Sequence, residues 1–166
     1  MKSLLVLALT SMFLIPLGRT AMAAPEVSTA PTKTVRMHFK GTMQSNETYS
    51  NAFHTMFVTA SGSGEANELG RFTASYQMEA NLMDMSLNEA ISFAGANGDS
   101  LQATAVGQAL EDRTPGMFNI VQIYTITGGT GRFADASGTF TLKRLVSITV
   151  GLASSTFEGY LILPSR

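Results

Sequence analysis

The side chains of this sequence best suited to chemistry are a few charges set within or beside apolar alternations, and the tyrosines among them. Glu68, Arg71, Glu79 and Glu158 are such charges, and Tyr76, Tyr124 and Tyr160 are three of the four tyrosines. A carboxyl group turned into an apolar interior either resists ionisation or requires an arginine partner, and either condition marks a site for acid–base work or recognition. A tyrosine supplies an aromatic wall for a lipid-like or aromatic ligand, although ordinary packing uses it equally well. Glu68 and Arg71 stand three apart, on opposite faces of an extended strand, and meet only if a turn ends at Gly70. The candidate ligand-binding residues are therefore Glu68, Arg71, Tyr76, Tyr124 and Glu158. The alternative for the charges is that they face solvent, the usual place for them. No catalytic residue is assigned.

Other chemistry is narrowed by residue type. The two histidines, His38 and His54, form no spaced ligand pair, and His38 falls on the polar face of its segment. His54 near Met56, with Met83 and Met85, has the ligand types for copper, but methionine also fills cores, and no set of three converges. We expect no metal and no cofactor. The chain has no cysteine, which excludes thiol nucleophiles and thiolate metal sites. Gly128-Gly129-Thr130-Gly131 is followed by Arg132-Phe133 rather than the Lys-Ser/Thr and helix of a phosphate loop, so it reads as a turn. Asn46-Glu47-Thr48 fits a glycosylation sequon, a short motif that arises easily by chance.

The first residues read as an export signal. Lys2 gives a positive start, Leu4 to Leu17 form a 14-residue apolar run, and Ala21-Met22-Ala23 suits a signal peptidase. The run is short of the roughly 20 residues that cross a bilayer as a helix. We expect a signal peptide over 1–23, a flexible leader over 24–32 and one domain over 33–166, secreted or periplasmic. Without Lys2 and Arg19, 9 basic residues face 12 acidic ones, a balance that argues against nucleic acid and against docking on anionic lipid. No membrane association is expected after cleavage.

What must position the candidate residues is a set of strands. Lys33 to Gly41 alternates, with Val35, Met37 and Phe39 on one face, before a polar stretch, Met43 to Asn51. Phe53 to Ala60, Leu69 to Ala80, Ser86 to Ala94, Ser100 to Val106, Phe118 to Thr127 and Ala136 to Leu145 read as further strands. Val146 to Val150 and Thr156 to Leu163 close the chain. Asn97-Gly98 signals a tight hairpin whose two residues tolerate positive φ. About eight strands at roughly ten-residue spacing, without a long helix, indicate an all-β sandwich or closed antiparallel barrel. In the late strands both faces are apolar: Val121 and Ile123 oppose Ile120, Tyr124 and Ile126. The outward set needs a cover, and we expect another subunit to supply it.

The segment Ile126 to Leu142, ITGGTGRFADASGTFTL, resembles the strand–turn–strand element of allene oxide cyclases, dirigent proteins and small exported bacterial barrels of unassigned function. Its structural motif is Gly128, Gly129, Gly131, Arg132 and Phe133, with Gly138 in the next strand. Leu69-Gly70-Arg71-Phe72, Ala96-Asn97-Gly98-Asp99 and Phe157-Glu158-Gly159 echo the bacterial group. The resemblance implies an eight-stranded barrel, commonly trimeric, with a cavity opening at one end. The expected function is a non-catalytic, dirigent-like barrel that binds or orients a small hydrophobic molecule. An isomerase or cyclase without cofactor is the alternative, and a structural oligomeric barrel the third reading. The cyclases have a cavity cysteine and this chain has none, which weighs against their chemistry.

Overall fold

A computed structural model describes residues 33–165. The expected signal peptide and leader lie outside them. Eight strands run in chain order: β1 (Thr34–Ala52), β2 (Thr55–Ala66), β3 (Gly70–Asn81), β4 (Ser86–Gly95), β5 (Ser100–Glu111), β6 (Met117–Gly129), β7 (Ser137–Ser147) and β8 (Leu152–Pro164). Each pairs antiparallel with the next, and β1 pairs with β8 to close the barrel. Closure is possible because β1, at 19 residues, is long enough to serve both neighbours. Thr34 to Asn46 face β8, and Gly41 to Ala52 face β2. A closed ring leaves no unpaired sheet edge.

Alternation then decides what lies inside. In β3, Phe72, Ala74, Tyr76, Met78 and Ala80 are buried while every residue between them is exposed. Eight strands enclose a lumen just wide enough for side chains to fill or for one small ligand. The turns at 67–69, 96–99 and 130–136 lie at one end, the base; those at 53–54, 82–85, 112–116 and 148–151 lie at the other, the mouth. An aromatic layer fills the base half. Phe39 packs on Phe157 with centroids 5.1 Å apart and edge-on to Phe140 at 5.3 Å, and Tyr124 stacks on Phe140 at 4.6 Å. Burial of each ring contributes roughly 2 kcal/mol. A smaller apolar layer at the mouth half includes Val58, Met78, Leu87, Ile120 and Val146, with Tyr49, Met56, Met85 and Phe118 partly buried over it.

The glycine-rich motif shapes the base. After Gly129 the chain makes a single 3-10 turn, Gly131–Phe133, which drops the Phe133 ring into the barrel, buried. Gly138 sits at φ 133°, and a Cβ there would lie 2.2 Å from the Tyr160 carbonyl oxygen, so no other residue fits without movement.

Three details differ from the sequence reading. The polar stretch Met43 to Asn51 continues β1 rather than interrupting it. Met43, Ser45 and Glu47 point inward, and their mixed polarity hides the alternation because this lumen holds charge. Val146 to Val150 is not a strand: β7 ends at Ser147 and a turn follows, with Gly151 at φ 69°. The Asn97-Gly98 hairpin forms, but only Gly98 takes positive φ, and the loop is closed by Gly95 N–H donating to the Asp99 carbonyl at 2.9 Å.

Candidate functional site

Between the two apolar layers the lumen holds a polar layer centred on Arg144. β7 presents Leu142, Arg144 and Val146 to the interior in turn, so the guanidinium enters the barrel by strand parity alone. Glu89 arrives in the same way between Leu87 and Ile91 on β4, and Gln122 between Ile120 and Tyr124 on β6. Arg144 Nη2 donates to both oxygens of Glu89, each at 3.1 Å. Arg144 Nη1 stands 3.6 Å from Glu47 Oε1, and all three side chains are essentially inaccessible to solvent. The guanidinium carbon lies 4.4 Å from the centroid of the Tyr76 ring, a cation–π contact.

Phenols and amides take up the remaining carboxylate lone pairs. Tyr124 Oη donates to Glu89 Oε1 at 2.6 Å, and Gln122 Nε2 to Glu89 Oε2 at 2.9 Å. Tyr76 Oη donates to Glu47 Oε1 at 2.5 Å and Tyr49 Oη to Glu47 Oε2 at 2.8 Å. With the Tyr76 proton so engaged, Ser45 Oγ, 2.8 Å away, is the donor to Tyr76 Oη. Burial pushes the Tyr76 and Tyr124 phenols well above the usual tyrosine range; Arg144 opposes this, while Glu47 at Tyr76 and Glu89 at Tyr124 reinforce it. Tyr49 is raised by burial and by its bond to Glu47. Desolvation works against the Arg144 charge, but Glu89 and, after it, the surrounding phenols and Glu47 hold the guanidinium more firmly protonated than usual. The phenols are thus fixed as neutral donors and the arginine as a permanent cation.

Two buried polar atoms in this layer have no hydrogen-bond partner among the described residues, Arg144 Nε and Ser155 Oγ. Arg144 and Ser155 are register partners across β7 and β8, and both side chains are buried. Each has a donor with no acceptor. A buried donor left unmatched costs about 1–3 kcal/mol, so the pair is poised for an oxygen.

Of the residues singled out from sequence, Tyr76 and Tyr124 are brought together in this layer. Glu68 lies half-buried in the β2–β3 turn, and Arg71 and Glu158 face outward. Glu158 meets His38 at 3.0 Å and Lys40 at 3.9 Å on the outer wall. Sequence reasoning missed Glu47, Glu89, Gln122, Arg144, Ser45 and Ser155. The signal that finds them is parity: each has buried side chains two residues away on both sides, except Glu47, which stands between buried Ser45 and half-buried Tyr49.

The outer wall has two characters. Arg36, His38, Lys40, Lys143 and Glu158 charge the exterior of β7, β8 and β1, whereas the middle of β2 to β5 is paved with Ser, Thr, Ala and Gln. A shallow depression of about 690 Å³ runs over this uncharged wall, between residues such as Ser61, Ser75, Gln77 and Gln102. Val106 and Ile123, paired across β5 and β6, border a second one of about 770 Å³. Among the described residues, no group of three or more His, Cys, Asp or Glu side chains could hold a metal ion, and no helix is long and apolar enough to cross a membrane.

No family model and no curated protein matches the sequence. Among solved structures, the barrel is similar to the pterocarpan synthase dirigent protein GePTS1, with TM-score 0.60 and 16% identity over 81% of this chain and 88% of that one. It is also similar to the pterocarpan synthase dirigent protein PsPTS1, with TM-score 0.57 and 14% identity over 81% of this chain and 97% of that one. At these identities the likeness is one of fold alone: a closed eight-stranded antiparallel barrel, the architecture that the resemblance at Ile126–Leu142 implied.

Proposed function

Starting from a dirigent-type barrel with a charged layer in its lumen, we propose that the protein binds and orients a small hydrophobic molecule carrying one oxygen acceptor, without catalysing a reaction on it. The carrying observation is the pair of unpartnered donors, Arg144 Nε and Ser155 Oγ, on residues that are register partners across β7 and β8. The carboxylate oxygens of Glu47 and Glu89 are all taken by donors, and the phenols are held away from ionisation. What remains for a guest is directional hydrogen bonding, which fixes an orientation but moves no proton. The aromatic rings of Tyr124, Phe140 and Phe157 supply an apolar wall beside it. Entry is from the mouth, where Met56, Met78 and Met85 are the adaptable side chains that have to yield.

The test compares 2-acetylnaphthalene with 2-ethylnaphthalene, which has the same ring and no oxygen, by calorimetric titration of the parent and Ser155→Ala. The parent prefers the ketone by about tenfold, one charge-assisted hydrogen bond, and Ser155→Ala narrows that preference. Equal affinity for the two compounds, or binding of neither, overturns the reading.

A second reading, a cofactor-free isomerase or cyclase, draws on one feature. The run Tyr49–Glu47–Tyr76–Ser45 is continuous by hydrogen bonds from the half-buried Tyr49 to the lumen, a path along which a proton could pass. Turnover of a bound ketone or epoxide that is lost in Glu47→Gln would favour it. We further propose export, to a secreted or periplasmic location, on the strength of the N-terminal sequence. Self-association is proposed through the uncharged middle of the β2 to β5 wall together with Val106, Val121 and Ile123, which are 62%, 45% and 59% exposed. Charge on the remaining wall keeps that side in water.

A further inference from the structure

The two ends of the barrel differ in a way that neither the fold nor the lumen requires. At the base the turns show Asn67, Asn97, Arg132 and Asp135 to solvent, and their large apolar residues, Leu69 and Phe133, are tucked into the core. At the mouth the pattern is reversed. Phe53, at the tip of the β1–β2 turn, is 100% exposed; Met83 and Leu82 on the β3–β4 turn are 72% and 40% exposed; Val150 and Ile148 on the β7–β8 turn are 65% and 38% exposed. These three turns are consecutive around the ring, because β8 adjoins β1 and the Leu82 N–H donates to the His54 carbonyl at 2.7 Å. Only the fourth, the 112–116 loop, is polar, with Asp112 and Arg113. The tip of the first turn is also strained: Phe53 holds φ 54°, a left-handed conformation that a bulky side chain rarely adopts. An exposed ring and a costly backbone at one position point to a use for that ring.

We propose that the mouth is a lipid-docking end, with Phe53, Met83 and Val150 inserting into the apolar boundary of a bilayer whose head groups are zwitterionic. The occupant follows from shape and charge. Three separate tips stand proud on different turns, and a fluid lipid layer accepts such projections without a complementary mould, whereas a protein partner would have to offer one pocket for each. Asp84 and Asp112 against Arg113 leave the mouth turns without a basic cluster, so there is no pull toward anionic lipid. The outer wall does expose apolar residues, Phe57, Val106, Leu110, Ile123 and Leu145 among them, but the outward faces of β3 and β4 expose no large one and Lys40, Lys143 and Glu158 interrupt the rest, so no continuous apolar band girdles the barrel and it sits on the lipid by one end. Docking of this kind is independent of what the lumen binds.

The chain has no cysteine, so a single introduced one is a unique labelling site. An environment-sensitive fluorophore is placed on His54→Cys at the mouth and, separately, on Ala134→Cys at the base, both in the full chain. Vesicles of phosphatidylcholine, with and without doxyl-labelled lipid, are then added. The expected result is a blue shift and doxyl quenching at position 54 and neither at 134. Adding Phe53→Ser, Met83→Ser and Val150→Ser to the His54→Cys chain should weaken partitioning roughly tenfold or more, with circular dichroism confirming the fold. No change at position 54 overturns the proposal, and so does an equal change at both positions, which would place the lipid contact elsewhere in the chain. A shift at position 54 that grows with protein concentration in the absence of vesicles also overturns it, because a second copy would then be the occupant.

Discussion

Replacing Arg144 with methionine keeps much of the side-chain volume but strands two carboxylates in the lumen. At an effective dielectric of about 20, each charge pair at the observed separations is worth about 5 kcal/mol of gross attraction, for Glu89 at 3.1 Å and Glu47 at 3.6 Å. Desolvating each ion costs several kcal/mol, so the intact cluster is close to break-even in net stability. Removing only the cation leaves the desolvation cost uncompensated, and Arg144→Met should therefore lose about 3–5 kcal/mol. In urea that is a fall in midpoint of about 2 M. Adding Glu89→Gln should restore part of the loss, because the worst-placed charge disappears with its partner, so the two substitutions are not additive. Urea melts of the parent, both single variants and the double variant make the measurement. An Arg144→Met midpoint within about 0.5 M of the parent, or a double variant that loses the sum of the singles, would refute the reasoning.

Other expectations follow from the same layer and its supports. Ser155→Ala removes an unmatched buried hydroxyl and should leave stability unchanged or raise it by up to about 1 kcal/mol, whereas Ser45→Ala, which loses the bond to Tyr76, should cost about 1 kcal/mol; thermal melts separate the two. Gly138→Ala meets both a φ that side chains avoid and the Tyr160 carbonyl, and should cost about 2 kcal/mol or more in a urea melt. The phenols of Tyr49, Tyr76 and Tyr124 have folded pKa values raised above their ordinary 10.0. Their contribution to stability is complete below the unfolded value and falls away as pH rises past it. Phenolate absorbance should therefore appear for these three together with loss of β circular dichroism; gradual ionisation near pH 10 in an intact barrel would contradict this.

Much of the fold could be read from sequence because a barrel strand states its two faces residue by residue. Phe72 to Ala80, and Ile120, Tyr124 and Ile126, gave both the strand and the buried face, and Gly128 to Phe133 gave the turn that plugs the base. The candidate site was legible only in its aromatic members. Tyr76 and Tyr124 lie among apolar residues of like parity, so they point inward by association. Glu47 and Ser45 were hidden because a half-polar inner face looks like a loop. Arg144 was hidden because a charge is expected to face water; only its position between Leu142 and Val146 argues otherwise. Glu68, Arg71 and Glu158 stood out as charges near turns and strands, but their parity sends Arg71 and Glu158 outward. The partners of a buried charge come from other strands, β1 and β4 for Arg144, and single-sequence spacing carries no record of that closure.

The most direct test is to observe the Arg144 Nε–H resonance by ¹⁵N nuclear magnetic resonance while 2-acetylnaphthalene is added. A ketone oxygen seated between Arg144 and Ser155 moves this signal, leaves it in slow exchange with water, and has no such effect when 2-ethylnaphthalene is used instead. An unmoved Arg144 signal, with shifts confined to amides on the outer wall, would show that the guest never reaches the charged layer.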